Sequence, residues 1–266
     1  MPTATEVLNS EITDQVASQG FAISRSRLDP GEVHSARSLI STHFKAGKGV
    51  TMEGAVVQPA AAHLVPGLAW LYAHPQIIDL AQSALGTSNI VFTGHSDAHQ
   101  GFTLGWHKDS GSKATGNELS GYFNESPETL FQSDPEVVKI GIYLQDSTSH
   151  NCLRVDPGSH LRPSILAVSS KEVIMQAGDL VVFDVRITHA GAKQPEPDSP
   201  VMKILRDRVS AFVSFGKPGR RTEEFSRTNM ERQRRQLDLP EGEPVPTDAG
   251  HAALLASRGV TMWNGA

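Results

Sequence analysis

VVKIGIYLQDSTSHNCLRVDPGSH, residues 137–160, reads as two strands and the turn that closes them. In Val137–Gln145, Ile140, Ile142 and Leu144 fall on one face, and Lys139, Gly141, Tyr143 and Gln145 on the other, because successive side chains of a strand point to opposite sides. The first face suits a packed helix layer. The second suits a polar cavity, where Lys139 and Tyr143 would reach a bound co-substrate or substrate. Cys152–Val155 is a second short strand, and Asp156-Pro157-Gly158 turns the chain.

The same period continues outward. Glu172–Met175, Leu180–Val185 and Arg206–Phe215 read as strands downstream, and Asn89–Phe92 and Thr103–Lys108 upstream. Gly178-Asp179, Gly191 and Gly216-Lys217-Pro218 are turns, and KQPEPDSP (Lys193–Pro200) is a loop. Before residue 89 the period is helical. Glu6–Ser18 carries Val7, Leu8, Ile12 and Val16 on one side, and Phe21–Ile23 is a short strand. Asp29-Pro30 opens a helix to about Phe44, and Pro75–Leu85 is closed by Gly86. Helices followed by seven or so short strands predict a mainly β domain, an antiparallel sandwich or barrel with helices packed on one outer face. The 266 residues are expected to form one domain: a helical part at about 1–88, a β core at about 89–216, and a charged helix and irregular tail at about 217–266.

Composition narrows the function. A formal net charge of −5 argues against a nucleic-acid or anionic-membrane partner. The arginines between Arg220 and Arg235 are interleaved with Glu223, Glu224 and Glu231, as on a solvated helix. The single cysteine, Cys152, allows no disulfide within the chain, and the polar N-terminus has no apolar core; both suit a cytoplasmic enzyme.

Trp106-His107-Lys108-Asp109 sets a histidine and a carboxylate two residues apart, on one face of an extended chain. His189 follows the strand Leu180–Val185 after a short turn. Two histidines and one carboxylate form the facial set that leaves three coordination positions open on iron(II). A rival pair, His95 and Asp97, with His99 on the same side, reads otherwise as a polar strand end or loop rim. The tryptophan-ended strand before His107 and the Gly/Ser-rich loop Ser110–Gly116 after Asp109 favour His107/Asp109. Trp106, alternating away from His107, would pack beneath the strand. His160 is a turn residue, and His63 and His251 are surface or helix residues without a ligand partner.

Three segments together resemble the phytanoyl-CoA dioxygenase family of iron(II)/2-oxoglutarate oxygenases: WHKD at 106–109, NCLRVDPGSH at 151–160 (with Cys152 where glycine is usual), and GDLVVFD at 178–184 followed by His189. They occur in family order over roughly residues 5–216. The resemblance implies a double-stranded β-helix (jelly-roll, cupin-like) core and a metal held by His107, Asp109 and His189. It implies iron(II), 2-oxoglutarate and dioxygen as cofactor and co-substrates, with succinate and carbon dioxide released. It also implies an arginine, on the strand after His189, that binds the far carboxylate of 2-oxoglutarate. Counting back from Ser214-Phe215 selects Arg208 over Arg206, and Arg provides the paired donors a carboxylate needs. Thr103 is a further candidate contact to the co-substrate. Family strands carry a large aromatic where Gly141 stands, so Gly141 is expected to widen the pocket. Related halogenases replace the metal carboxylate, so Asp109 points to hydroxylation, desaturation or oxidative cyclisation. The expected substrate is a small molecule of secondary metabolism, such as a sugar or aminoglycoside-type compound. Two other readings are a 2-oxoglutarate-independent cupin-like metalloenzyme and a non-catalytic small-molecule-binding barrel.

Overall fold

The computed structural model describes residues 4–52, 55–101, 104–111, 121–193 and 199–263. In chain order its first elements are α1 (Ala4–Gln19), β1 (Phe21–Ser24), α2 (Pro30–Lys45), β2 (Val50–Met52), β3 (Ala55–Gln58), α3 (Ala61–Leu64), α4 (Ala69–Tyr72), α5 (Pro75–Leu85), β4 (Val91–Gln100) and α6 (Pro127–Leu130). Then follow β5 (Val137–Tyr143), β6 (Leu153–Val155), β7 (Lys171–Val173), β8 (Leu180–Asp184), β9 (His189–Ala190), α7 (Pro200–Arg206), β10 (Val209–Gly216), α8 (Arg220–Gln236), α9 (Ala249–Ala256) and β11 (Thr261–Met262).

The expected helix signals work as their chemistry dictates. Asp29 accepts a hydrogen bond from the Glu32 N–H, and Glu32 returns one to the Asp29 N–H, which satisfies two otherwise orphaned donors at the start of α2. Gly86 ends α5 in the left-handed conformation.

The larger sheet runs β1-β8-β5-β10-β4-β3-β2, with β11 added parallel to β4; the smaller runs β7-β6-β9. Strand alternation sorts β5 as expected. Ile140, Ile142 and Leu144 join Ile12, Ile40 and Ile77 in a core between sheet and helices. Tyr143 faces inward with Phe183, Leu153 and Val155 in a second core that joins the two sheets. This is the double-stranded β-helix, with its helical layer on the outer face of the larger sheet.

Several boundaries differ from expectation. β4 runs through His95, Asp97 and His99 to Gln100, so these residues form a wall inside the barrel and are neither a strand end nor a rim. Among the described residues, 104–108 do not form a strand; His107 makes only a single bridge to His189. Arg206 belongs to the last turn of α7, not to β10. Gln145 lies past the end of β5 and accepts from Arg37 of α2 at 2.7 Å, outside the cavity. The segment after Gly216 is not an irregular tail. α8 packs across β4, and α9 with β11 closes over its beginning. Gly94 permits the first of these contacts: its φ is +81°, and a Cβ there would stand 2.6 Å from the Met230 Sδ of α8. No helix among the described residues is long and apolar enough to cross a membrane.

α9 brings a histidine into the core. His251 is fully buried and meets Phe92 and His63 edge-on, with ring centroids 5.1 and 5.0 Å away. Burial, with a smaller push from His63, lowers its pKa from 6.5 to about 4. The unfolded chain therefore binds a proton in this window that the folded chain refuses, so stability is full above pH 6.5 and falls as pH drops towards 4. His251→Leu should flatten this acid-side loss by on the order of 2–3 kcal/mol. Urea melts of both proteins across the window would check it, and parallel pH profiles would refute it.

Candidate metal centre and cavity

The metal-site residues come together through backbone pairing. His107 N–H donates to the His189 carbonyl and His189 N–H to that of His107, both at 2.9 Å. This reciprocal pair sets the two imidazoles side by side, with centroids 4.2 Å apart. Asp109 follows two residues later, where Ser110 N–H donates to the Val185 carbonyl at 2.8 Å. The facing atoms of His107, Asp109 and His189 all lie within 4.8 Å of one another. His107 Nε2 is 3.7 Å from Asp109 Oδ1, and His189 Nε2 is 3.6 Å from Asp109 Oδ2.

Neighbouring groups tune this set as a metal requires. The Nδ1 atoms of His107 and His189 lie 2.8 and 3.1 Å from the carbonyls of Gly105 and Ile187. Donation there leaves the Nε2 lone pairs facing Asp109. Burial, then repulsion from His107, lowers the His189 pKa to about 3, so the ring is neutral and able to ligate. Burial pushes the Asp109 carboxyl up, but Lys139, His189 and His107 outweigh it and hold the group well below the usual range. Lys139 Nζ is 2.7 Å from Asp109 Oδ2.

The loops that carry the set are fixed from behind. Lys108, buried, donates to the carbonyls of Ser159 and Arg186 at 2.7 and 2.6 Å. Ser159 Oγ accepts from Thr188 N–H at 2.7 Å, and His160 Nε2 lies 3.0 Å from the Ala17 carbonyl. The P-G-S-H turn is thus a structural hub, as expected for His160. Arg186 clasps Asp184 through both carboxylate oxygens and also donates to the carbonyls of Leu130 and Ser133.

The rival histidine–aspartate pair is already committed elsewhere. His95 Nδ1 is 2.8 Å from Ser214 Oγ and its Nε2 is 3.2 Å from Asp97 Oδ2, which also accepts from Arg232 at 3.0 Å. Both His95 nitrogens and the bonded carboxylate oxygen are occupied by protein groups.

A cavity of about 500 Å³ opens over the His107/Asp109/His189 set, within the usual size range of small-molecule sites. Arg208 lines it, buried, with its Nη2 donating to Tyr143 OH at 2.8 Å and its guanidinium over the Tyr143 ring. Tyr143 itself lies behind Arg208, not on the cavity surface, so it orients the arginine. Arg206 is exposed on α7, away from the cavity. Thr103 lies outside the described residues. Gly141 does not widen the space: a Cβ there would stand 3.0 Å from Val181 Cγ1 and 3.1 Å from Phe212 Cε1. Phe212 of β10 fills the place and lines the cavity instead. Trp106 is half-buried on the cavity wall beneath the Arg154 guanidinium, not packed under a strand.

One wall has no counterpart among the expected site residues. Phe225, Asn229, Arg232 and Gln236 of α8 line the cavity. Their spacing of i, i+4, i+7 and i+11 is a single helical face, and that period was the available signal. Arg232 is turned inward to Asp97 and is not part of a solvated stripe.

A facial two-histidine, one-carboxylate cluster under a cavity in a double-stranded β-helix defines the class of mononuclear non-haem metal oxygenases. Residues 16–194 match the family model "Phytanoyl-CoA dioxygenase (PhyH)", and the chain belongs to that family. No curated protein matches the sequence significantly. Among solved structures, the alpha-ketoglutarate-dependent carbocyclase SnoK from nogalamycin biosynthesis is 21% identical, with a TM-score of 0.60, over 93% of this chain and 97% of that one. The epimerase SnoN of the same biosynthesis is 18% identical at a TM-score of 0.61, over 91% and 93%. EctD from S. alaskensis, solved with 2-oxoglutarate and 5-hydroxyectoine, is 17% identical at 0.55, over 77% and 74%. These likenesses are of fold.

Proposed function

We infer that the chain is a non-haem iron(II), 2-oxoglutarate-dependent oxygenase acting on a small molecule of secondary metabolism. The observation that carries this is the convergence of His107, Asp109 and His189 on one point of a cavity that also holds the buried Arg208. The donor set fits iron(II): two neutral imidazoles and an ionised carboxylate, grouped on one side. Iron(II) with 2-oxoglutarate and dioxygen supplies the oxidising chemistry when bound, with succinate and carbon dioxide as by-products.

The chain's own residues do the rest. His107, Asp109 and His189 hold the metal. Arg208, kept in plane by Tyr143, receives the far carboxylate of 2-oxoglutarate in a charge-assisted contact. Lys139 balances Asp109 and keeps it ionised. The enclosing side chains of Phe183, Phe212 and Trp106 exclude bulk water. Natural-product tailoring by SnoN and SnoK supports a secondary metabolite as substrate, and the buried, free Cys152 suits the reducing cytoplasm.

The test is succinate formation in a substrate screen, which should require iron(II), 2-oxoglutarate and dioxygen together. Product formed without 2-oxoglutarate would favour the cupin-like reading. Arg208→Met should raise the KM for 2-oxoglutarate at least about tenfold, as expected for losing a charged hydrogen bond, while metal affinity changes little. An unchanged KM would remove Arg208 from this role.

A further inference from the structure

We propose that Asp97 and Asn229 form a substrate-recognition subsite for a neutral hydroxyl group on a ring compound; this rests on the oxygenase reading and specifies its substrate. Asp97 stands on β4 and Asn229 on α8, and both line the cavity. Both are almost wholly buried, at 2% and 1% exposure. The Arg232 guanidinium joins them: one nitrogen donates to Asp97 Oδ2 at 3.0 Å and to Asn229 Oδ1 at 2.9 Å, while another donates to Gln236 Oε1 at 2.9 Å.

What the guanidinium leaves over is one acceptor and one donor. Asp97 Oδ1 and Asn229 Nδ2 are buried and have no hydrogen-bond partner in the protein. Buried polar groups are rarely left so, because nothing in the fold offsets their desolvation. Two such atoms, on adjacent side chains of a cavity wall, are matched by a group that both donates and accepts. A hydroxyl does both: its O–H donates to Asp97 and its oxygen accepts from Asn229.

The charges argue against an ammonium. Asp97 is paired with Arg232 and Asp109 with Lys139, so neither cavity carboxylate is left to balance a cation. The surroundings argue for a ring. Phe225, Tyr122, Met52 and Val57 also line the cavity and offer an apolar bed. The substrate class is therefore a neutral, hydroxylated ring compound, which sets aside the aminoglycoside-type alternative. The α8 half of this subsite lies beyond residues 16–194, so the family match does not cover it.

The experiment uses the iron(II) holoenzyme, crystallised without oxygen in 2-oxoglutarate and soaked with tetralol or, separately, with its isostere aminotetralin. Tetralol is expected to bind with its oxygen within hydrogen-bond reach of both Asp97 and Asn229, and aminotetralin to leave the subsite empty. In solution, Asn229→Leu should weaken tetralol binding at least about tenfold. Tetralol absent or bound with its hydroxyl elsewhere, aminotetralin in the subsite, or an unchanged tetralol affinity in Asn229→Leu would each overturn the proposal. Failure of 2-oxoglutarate to occupy the cavity beside Arg208 would instead count against the oxygenase reading, which separates the two failures.

Discussion

His189→Ala is expected to lower iron(II) affinity by more than about a hundredfold and to reduce succinate formation to background. Outer-shell partners of metal sites alone are worth 10–100-fold, and His189 is one of three atoms that would touch the ion. The substitution keeps the backbone pair between residues 107 and 189, because both bonds run through main-chain atoms. The fold should therefore survive. Metal titration with cobalt(II) as a spectroscopic probe, with circular dichroism as the fold control, measures both. A folded variant that binds metal as the parent does would exclude His189 from the ligand set.

Arg186→Met should have the largest effect on stability, a loss of about 3–5 kcal/mol, or roughly 10 °C in Tm. Arg186 and Asp184 are 3% and 1% exposed, and three contacts join their charged groups. Removing the arginine strands a buried carboxylate, which costs far more than the pair is worth against an apolar replacement. It also releases the carbonyls of Leu130 and Ser133, so the 130–133 turn loses its tie to the segment that leads to His189. The double variant Asp184→Leu/Arg186→Met should recover part of the loss, since no lone charge stays buried. Thermal melts of the three proteins give the answer; equal losses in single and double variants would contradict the stranded-charge explanation.

The sequence was most legible where local chemistry decides structure. The Asp29-Pro30 cap, the Gly86 stop and the two faces of Val137–Tyr143 needed only capping rules and the period of two. The metal set was legible because a histidine and a carboxylate two residues apart, followed by a histidine after a buried strand, have few other uses together. What escaped was decided by tertiary contacts. His95, Asp97 and His99 read as a rim because polar side chains on a strand suggest solvent, yet Arg232, more than 130 residues later in the chain, buries and satisfies them. Arg232 in turn read as solvated because its charged neighbours hide the narrow inward stripe of α8. Arg206 and Arg208 looked equivalent under a strand period, but α7 ends between them, sending one outward and the other into the cavity. Gly141 was read as vacant space. Whether a missing side chain leaves a void depends on its neighbours, and Phe212 from the adjacent strand takes the room.

The most direct test of the central claim is the visible spectrum of the protein mixed with iron(II) and 2-oxoglutarate in the absence of oxygen. A metal held on one side by His107, Asp109 and His189 leaves positions for the 2-oxo acid to chelate, and a metal-to-ligand charge-transfer band is expected, lost in His189→Ala. A protein that binds iron(II) and yields no such band at saturating 2-oxoglutarate would contradict the account.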